Sequence, residues 1–189
     1  MDTKHTCSIA VFCSAATDIA PKFFEQTARL GRWIGKQGHR LIYGGACLGL
    51  MDCVARSAKE EGATIVGVVP DKLVERNIVS TLLDETIYVH NLGERKEIIL
   101  RESDLFIALP GGLGTLDEML HVLGEGSIGY HAKPLILYNI AGCWDAFLSL
   151  LDNLRAQCLL RHDLTNLLFV VHSLEELEAL IKEGENSIN

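Results

Sequence analysis

Short apolar runs alternate with longer stretches of helical spacing along the whole chain. Ser8-Ile-Ala-Val-Phe-Cys13 is a compact apolar run and predicts the first strand. Pro21 suits the first turn of the next helix, where Phe24, Ala28, Leu30, Trp33 and Ile34 keep helical spacing until Gly38 ends it. Residues 41–43 predict a second strand, 50–61 a helix stopped at Gly62, and 64–69 a third strand stopped by Pro70. Residues 71–84 have weaker periodicity and predict a lid or an irregular crossover. A strand at 86–89, a helix from about 93 to 102, an apolar run at 105–109 and a helix opening near Thr115 come next. Strands at 135–138 and 167–171 flank a helix over 144–158. The last helix opens on a capping box, Ser173-x-x-Glu176, ahead of Leu177, Leu180 and Ile181.

Near-continuous apolar strands that alternate with helices belong to a parallel sheet covered on both faces. The expected fold is therefore α/β, a doubly wound parallel sheet flanked by helices. Residues 1–189 read as a single domain, without internal repeat, low-complexity segment or linker. That length suffices for a sizeable core.

Composition changes this picture little, with 48% hydrophobic and 22% charged residues as in ordinary soluble proteins. The net charge of −8 argues against a nucleic-acid partner, which needs a basic face, but not against a small anion held by local donors. Residues 1–7 are polar and the apolar run after them is too short for a signal peptide. The most apolar later stretch, 134–151, is broken by Asn139, Gly142 and Asp145, so no membrane span is expected. The six cysteines form no C-x-x-C pair and read as buried free thiols in a reducing, cytoplasmic setting. The seven histidines show no ligand spacing, and no metal is expected.

Chemistry concentrates in two glycine-rich strand-to-helix turns, Gly44-Gly-Ala-Cys-Leu-Gly49 and Pro110-Gly-Gly-Leu-Gly-Thr115. Glycine lets main-chain N–H groups approach an anion closely, and the unpaired N–H groups of a helix start favour negative charge. Glu118 follows about one turn into the second helix. Taken singly, each feature has a plain structural explanation. Gly44–Gly49 is as readily a tight turn as a cradle, Arg95-Lys96 a solvated helix face, and Asp117-Glu118 a pair of acids complementing a helix dipole. Together they describe an anion cradle with a carboxylate and a cation beside it. Ligands in doubly wound folds bind beyond the strands' carboxyl ends, where both turns lie, although the sequence leaves the strand order open. Cys13-Ser-Ala-Ala after the first strand lacks the dinucleotide-binding G-x-G-x-x-G turn, and a G-x-x-x-x-G-K-[ST] loop is absent. Cys47, Cys53, His121, His131 and His172 read as packing residues.

Over nearly the whole chain these motifs resemble the LOG ("Lonely Guy") phosphoribohydrolases, a family long labelled lysine decarboxylases. The family's P-G-G-x-G-T-x-x-E falls on Pro110 to Glu118, and its Y-G-G-G-x-x-G-L-M on Tyr43 to Met51 with Ala46 in place of one glycine. The Arg-Lys of M-H-x-R-K falls on Arg95-Lys96, and G-x-H-x-K-P on Gly129 to Pro134. The resemblance implies a Rossmann-like fold, a homodimer and no cofactor. It implies hydrolysis of the N-glycosidic bond of a nucleoside 5′-monophosphate, a cytokinin riboside monophosphate or AMP-like substrate, to free base and ribose 5-phosphate. The implied catalytic residues are Arg95 and Glu118. The implied substrate- and phosphate-binding residues are Gly44, Gly45, Gly49, Met51, Asn77, Lys96, Gly111, Gly112, Gly114, Thr115 and Asp117. Pyridoxal-dependent decarboxylation, as in the older label, needs a Schiff-base lysine with anchoring groups, and no motif supplies them.

The chain also departs from the family pattern. A substrate-contacting Glu falls on Asn77 with Glu75 nearby, a Thr on Gly124, the following Trp on Glu125, and the Met-His before Arg95 on Leu92-Gly93. These changes lie on the base and ribose sides, so hydrolysis with an altered base preference is implied. The alternative reading is a carrier that binds a phosphorylated ligand such as molybdenum cofactor or a nucleotide without turning it over.

Overall fold

Strands without a polar face for water require cover on both sides. In the computed structural model, which describes residues 6–160 and 164–186, the central strands have it. The strands are β1 (Ser8–Phe12), β2 (Arg40–Tyr43), β3 (Ile65–Pro70), β4 (Glu85–Val89), β5 (Leu105–Ala108), β6 (Leu135–Tyr138) and β7 (Leu168–Val171). They form one seven-stranded sheet in the order β4-β3-β2-β1-β5-β6-β7, and every pair is parallel. The polar start of the chain, residues 1–5, lies outside the described residues.

The helices are α1 (Pro21–Gln37), α2 (Gly49–Glu60), α3 (Asp71–Glu75), α4 (Leu92–Glu102), α5 (Leu113–Ser127), α6 (Asp145–Ala156) and α7 (Leu174–Asn186). Successive strand residues feed opposite cores. Ile9 and Val11 pack with α1, α2 and α7, whereas Ala10 and Phe12 pack with α4, α5 and α6. The sheet edges are quieter, and β4 leaves Glu85, Thr86 and Tyr88 exposed to water.

The order fixes where a ligand can sit. The chain builds outward from β1 to β4, then crosses back to lay β5 on the other side of β1. Loops after β1 and β5 leave in opposite directions there and open a crevice at the carboxyl ends of both strands. The two loops touch, with the Ser14 N–H donating to the Pro110 carbonyl at 3.0 Å.

Several local expectations shift. Pro70 ends inside β3, because it pairs with Val89 of the edge strand and the ladder tolerates its missing N–H there. Residues 71–84 form the irregular crossover, with α3 as its one helical turn. Helix α5 opens at Leu113 with Gly112 as its cap, so Gly114 lies inside the first turn. In the capping box of α7, the Ser173 hydroxyl accepts from the Glu176 N–H at 3.1 Å, but the Glu176 carboxylate accepts from His172 N–H. The expectation of buried cysteines is corrected. Only Cys13 is buried, Cys7, Cys53 and Cys143 are half-buried, and Cys47 and Cys158 are exposed because both sit in connections between elements.

Helices α1 and α2 approach closely because α1 presents Gly31 and Gly35 to its neighbour. A Cβ on Gly31 would lie 2.7 Å from the Val54 carbonyl oxygen, and one on Gly35 2.6 Å from that of Ala58. Those obstacles are backbone and do not swing aside. Gly35→Val is therefore expected to lower stability by about 1–3 kcal/mol through overpacking. A denaturant midpoint equal to wild type would contradict this contact.

Candidate active site

At the carboxyl ends of β1, β2 and β5, five chain segments line a cavity of about 400 Å³, among them the end of β1 with its loop and residues 73–78. The loop after β2 and the first turn of α2 contribute Gly44, Ala46 and Met51. The loop after β5 and the start of α5 contribute Gly112, Gly114, Thr115 and Glu118. Helix α4 contributes Arg95.

Arg95 and Glu118 meet inside this cavity. Nη2 of Arg95 lies 3.0 Å from Oε1 of Glu118, with side chains only 14% and 11% exposed. Burial pushes the Glu118 carboxyl above its ordinary range, while the nearby Arg95 guanidinium pulls it back toward ionisation. Asp117 adds to the upward push and Lys96 opposes it. Arg95 uses one arm on this pair, and its Nε is buried without a hydrogen-bond partner among the described residues. Cys13, at the end of β1, completes the floor, and burial together with the Glu118 charge holds its thiol protonated.

Gly44 makes the pair possible. A Cβ there would lie 1.7 Å from Arg95 Nη2 and 2.7 Å from Met51 Cε, so the guanidinium occupies the space that a side chain would take. Gly111 plays a similar part for Thr115, whose Oγ1 would stand 2.0 Å from a Cβ on that glycine. Gly112 and Gly114 differ, since no atom lies within 4 Å of a Cβ built on either. They leave the N-terminal turn of α5 open to the cavity, where its free N–H groups favour an anion.

Other residues singled out in the sequence stand back from the cavity. Gly45 and Gly49 hold positive φ values of 72° and 54° and shape the first loop from behind, Gly49 against Ala15 and Ala16. Lys96 pairs with Asp117 at 2.7 Å on the rim, where Asp117 is half exposed. Gly111 faces a smaller neighbouring cavity lined by Ser14, Phe23 and Trp144. Asn77 is exposed with φ of 54°, and its neighbours Arg76 and Ile78 line the cavity instead. Gly124 and Glu125 lie farther along α5 and do not line it.

Cys13, Ser14, Arg76 and Ile78 are cavity residues without a signal in spacing or composition. For Cys13 and Ser14 the available clue is position, since both follow the first strand at the switch point. The Gly129–Pro134 segment serves α4 instead. Lys133 Nζ donates to the carbonyls of Leu100 and Arg101 at the end of α4, at 2.7 and 3.2 Å. His131 bridges the Val122 carbonyl and the Lys133 N–H. No group of three or more His, Cys, Asp or Glu among the described residues is placed to hold a metal ion.

Fold and cavity define a Rossmann-like α/β protein with a buried arginine–glutamate pair at its switch point. The profile of a family described as "Possible lysine decarboxylase" matches residues 51–181. The cytokinin riboside 5'-monophosphate phosphoribohydrolase LOG of Oryza sativa subsp. japonica is 33% identical over 175 residues, covering 93% of this chain and 72% of its own. The Arabidopsis thaliana protein named LOG7 of the same activity is 35% identical over 144 residues, 76% of this chain and 66% of its own. Among solved structures, the molybdenum cofactor binding protein of Rippkaea orientalis aligns with a TM-score of 0.72 and 26% identity, covering 95% of this chain and 97% of that one. The molybdenum cofactor carrier protein of Chlamydomonas reinhardtii aligns with a TM-score of 0.71 and 26% identity, covering 95% and 98%. The chain belongs to the LOG family.

Gly44→Ala tests the geometry directly. The atom it displaces is the end of a flexible side chain, so the fold should persist while Arg95 is driven off Glu118. Ligand turnover or binding that needs the pair should fall by at least about tenfold, with an unchanged circular dichroism spectrum. Full function in that variant would show that Arg95 need not occupy this position.

Proposed function

We propose that the protein hydrolyses the N-glycosidic bond of a nucleoside 5′-monophosphate, releasing free base and ribose 5-phosphate. The observation that carries this reading is the buried Arg95–Glu118 pair facing the same cavity as the open N-terminal turn of α5. Gly114 and Glu118 are four residues apart, about 6 Å along a helix axis. That spacing is on the scale of a ribose ring, so a phosphate at the helix start brings the anomeric carbon near the carboxylate. The relatives' printed activity points the same way.

In the proposed reaction the phosphate binds the N–H groups around Gly112, Gly114 and Thr115, and that remote binding energy positions the sugar. As the C–N bond breaks, its electron pair leaves with the base nitrogen and positive charge grows on the ribose. Ionised Glu118 stabilises that charge and takes a proton from the attacking water, whose oxygen bonds the anomeric carbon, while the base nitrogen gains a proton from solvent. Arg95 keeps Glu118 ionised against burial and offers donors toward the ligand. Asn77, Gly124 and Glu125, where the family pattern changes, do not line the cavity, so the choice of leaving base rests with the residues that do.

A homodimer belongs to the same reading. Leu113 and Leu120 on α5 are 85% and 53% exposed and Ile128 just beyond its end is 65% exposed, an apolar surface suited to a second copy. Free, exposed Cys47 and Cys158 suit a reducing compartment, and we place the protein in the cytoplasm. The likeness to molybdenum cofactor carriers supports a second reading, in which the cavity holds a phosphorylated pterin without cleaving it. A co-purifying chromophore without base release from any nucleotide would favour that carrier.

Incubation with AMP, GMP, CMP and an isoprenyl-AMP, followed by mass spectrometry, should reveal free base from at least one of them. Absence of release from all would overturn the hydrolase. Glu118→Ala should lower kcat by about a hundredfold or more while ribose 5-phosphate still binds. The pH profile gives an independent check. Glu118 acts ionised and burial raises its carboxyl, so kcat/KM should fall on acidification with a midpoint above the ordinary 4.5. An acid limb at or below that value would remove Glu118 from the role of general base.

A further inference from the structure

The cavity's charges do not balance a phosphorylated ligand, and one residue repairs the deficit. Arg95 and Glu118 neutralise one another at 3.0 Å. Lys96 is spent on Asp117 at 2.7 Å and stands outside the cavity wall. A phosphomonoester brings about −1.5 to −2 charges at neutral pH. The start of α5 answers with only about half a positive charge.

Arg76 is the remaining cation of the cavity wall, and its side chain makes no ion pair or hydrogen bond among the described residues. Its backbone is held firmly. Leu73, one turn before it, is partly buried against the core and also lines the cavity. Asn77 then takes a left-handed φ of 54°, which turns the chain sharply just after Arg76. The next residues are tied to the first glycine loop. Cys47 N–H donates to the Ile78 carbonyl at 3.0 Å, Ser80 N–H donates to the Gly45 carbonyl at 2.8 Å, and Ala46 bridges Val79. Residues 73–80 thus form a stretch of cavity wall held to the core at Leu73 and to the first glycine loop at 78–80, with an uncommitted guanidinium between.

We propose that Arg76 is the phosphate-clamping residue of this site, a specificity determinant that pairs with the ligand's phosphate from the wall that residues 73–78 supply. The assignment rests on reading the cavity as a site for a phosphorylated ribose. A guanidinium suits the task because its planar fork meets two phosphate oxygens at once and it cannot lose its charge at physiological pH. Arg76 also separates the ligand classes. Nucleosides lacking the phosphate would leave it unpaired in water at little cost, so its contribution goes to phosphorylated ligands alone.

Ribose 5-phosphate binding by calorimetry tests this without requiring turnover. Arg76→Ala should weaken binding by about 10- to 100-fold, and Arg76→Lys should recover part of the loss. The salt dependence of the affinity should flatten in Arg76→Ala, which a merely structural role would not produce. Binding of adenosine, which lacks the phosphate, should stay within about twofold of wild type. With AMP as substrate, KM should rise by a similar factor to the ribose 5-phosphate constant while kcat changes little. Ribose 5-phosphate affinity within about twofold of wild type would overturn the assignment, as would a wild-type protein that fails to bind ribose 5-phosphate. If wild type binds ribose 5-phosphate through Arg76 yet releases no base from any nucleotide, the clamp stands and the hydrolase reading fails.

Discussion

A carboxylate and a guanidinium buried together at the end of a sheet are the constraint around which this molecule is arranged. Taking either charge from water costs several kcal/mol, and their attraction offsets that cost only with close, fixed geometry. The pair spans two helices, α4 and α5, and therefore fixes both. Much of the surrounding detail follows. Gly44 surrenders its side-chain space to the guanidinium. Lys133 ties down the far end of the helix that carries Arg95. Gly111 lets Thr115 fold beneath the loop that opens the helix carrying Glu118.

The same pair gives the cavity its chemical character. Glu118 is pulled two ways, upward by burial and downward by Arg95. Donors and acceptor are held in place before any ligand arrives, which removes most of the reorganisation a reaction would otherwise require. The relatives' printed activity favours the hydrolytic reading over the carrier, although solved carriers share the fold at TM-scores of 0.71 and 0.72.

Much of the site is legible in sequence because its parts are local. A glycine-rich turn and the helix start after it lie within ten residues, so Pro110 to Glu118 shows both cradle and acid at once. The α1–α2 contact is less legible, since Gly31 and Gly35 look like weak helix positions until Val54 and Ala58 are brought against them. Arg76 is less legible still. It lies in a stretch of poor periodicity, and the stitching of residues 78–80 to the first glycine loop is what holds its segment on the cavity wall. Asn77 falls on the family's substrate-contacting position by alignment, yet the left-handed turn it makes leaves Arg76 and Ile78 on the cavity wall.

Sequence by itself determined the alternation of strands and helices, the parallel character of the sheet and the identity of both glycine turns. Each depends on interactions within a few residues or on the solubility of one face. Tertiary structure alone decided the strand order, and with it the meeting of Arg95 and Glu118, which lie on separate helices. It also decided which glycines face the ligand and which make room for side chains, because that depends on what the rest of the chain places beside them.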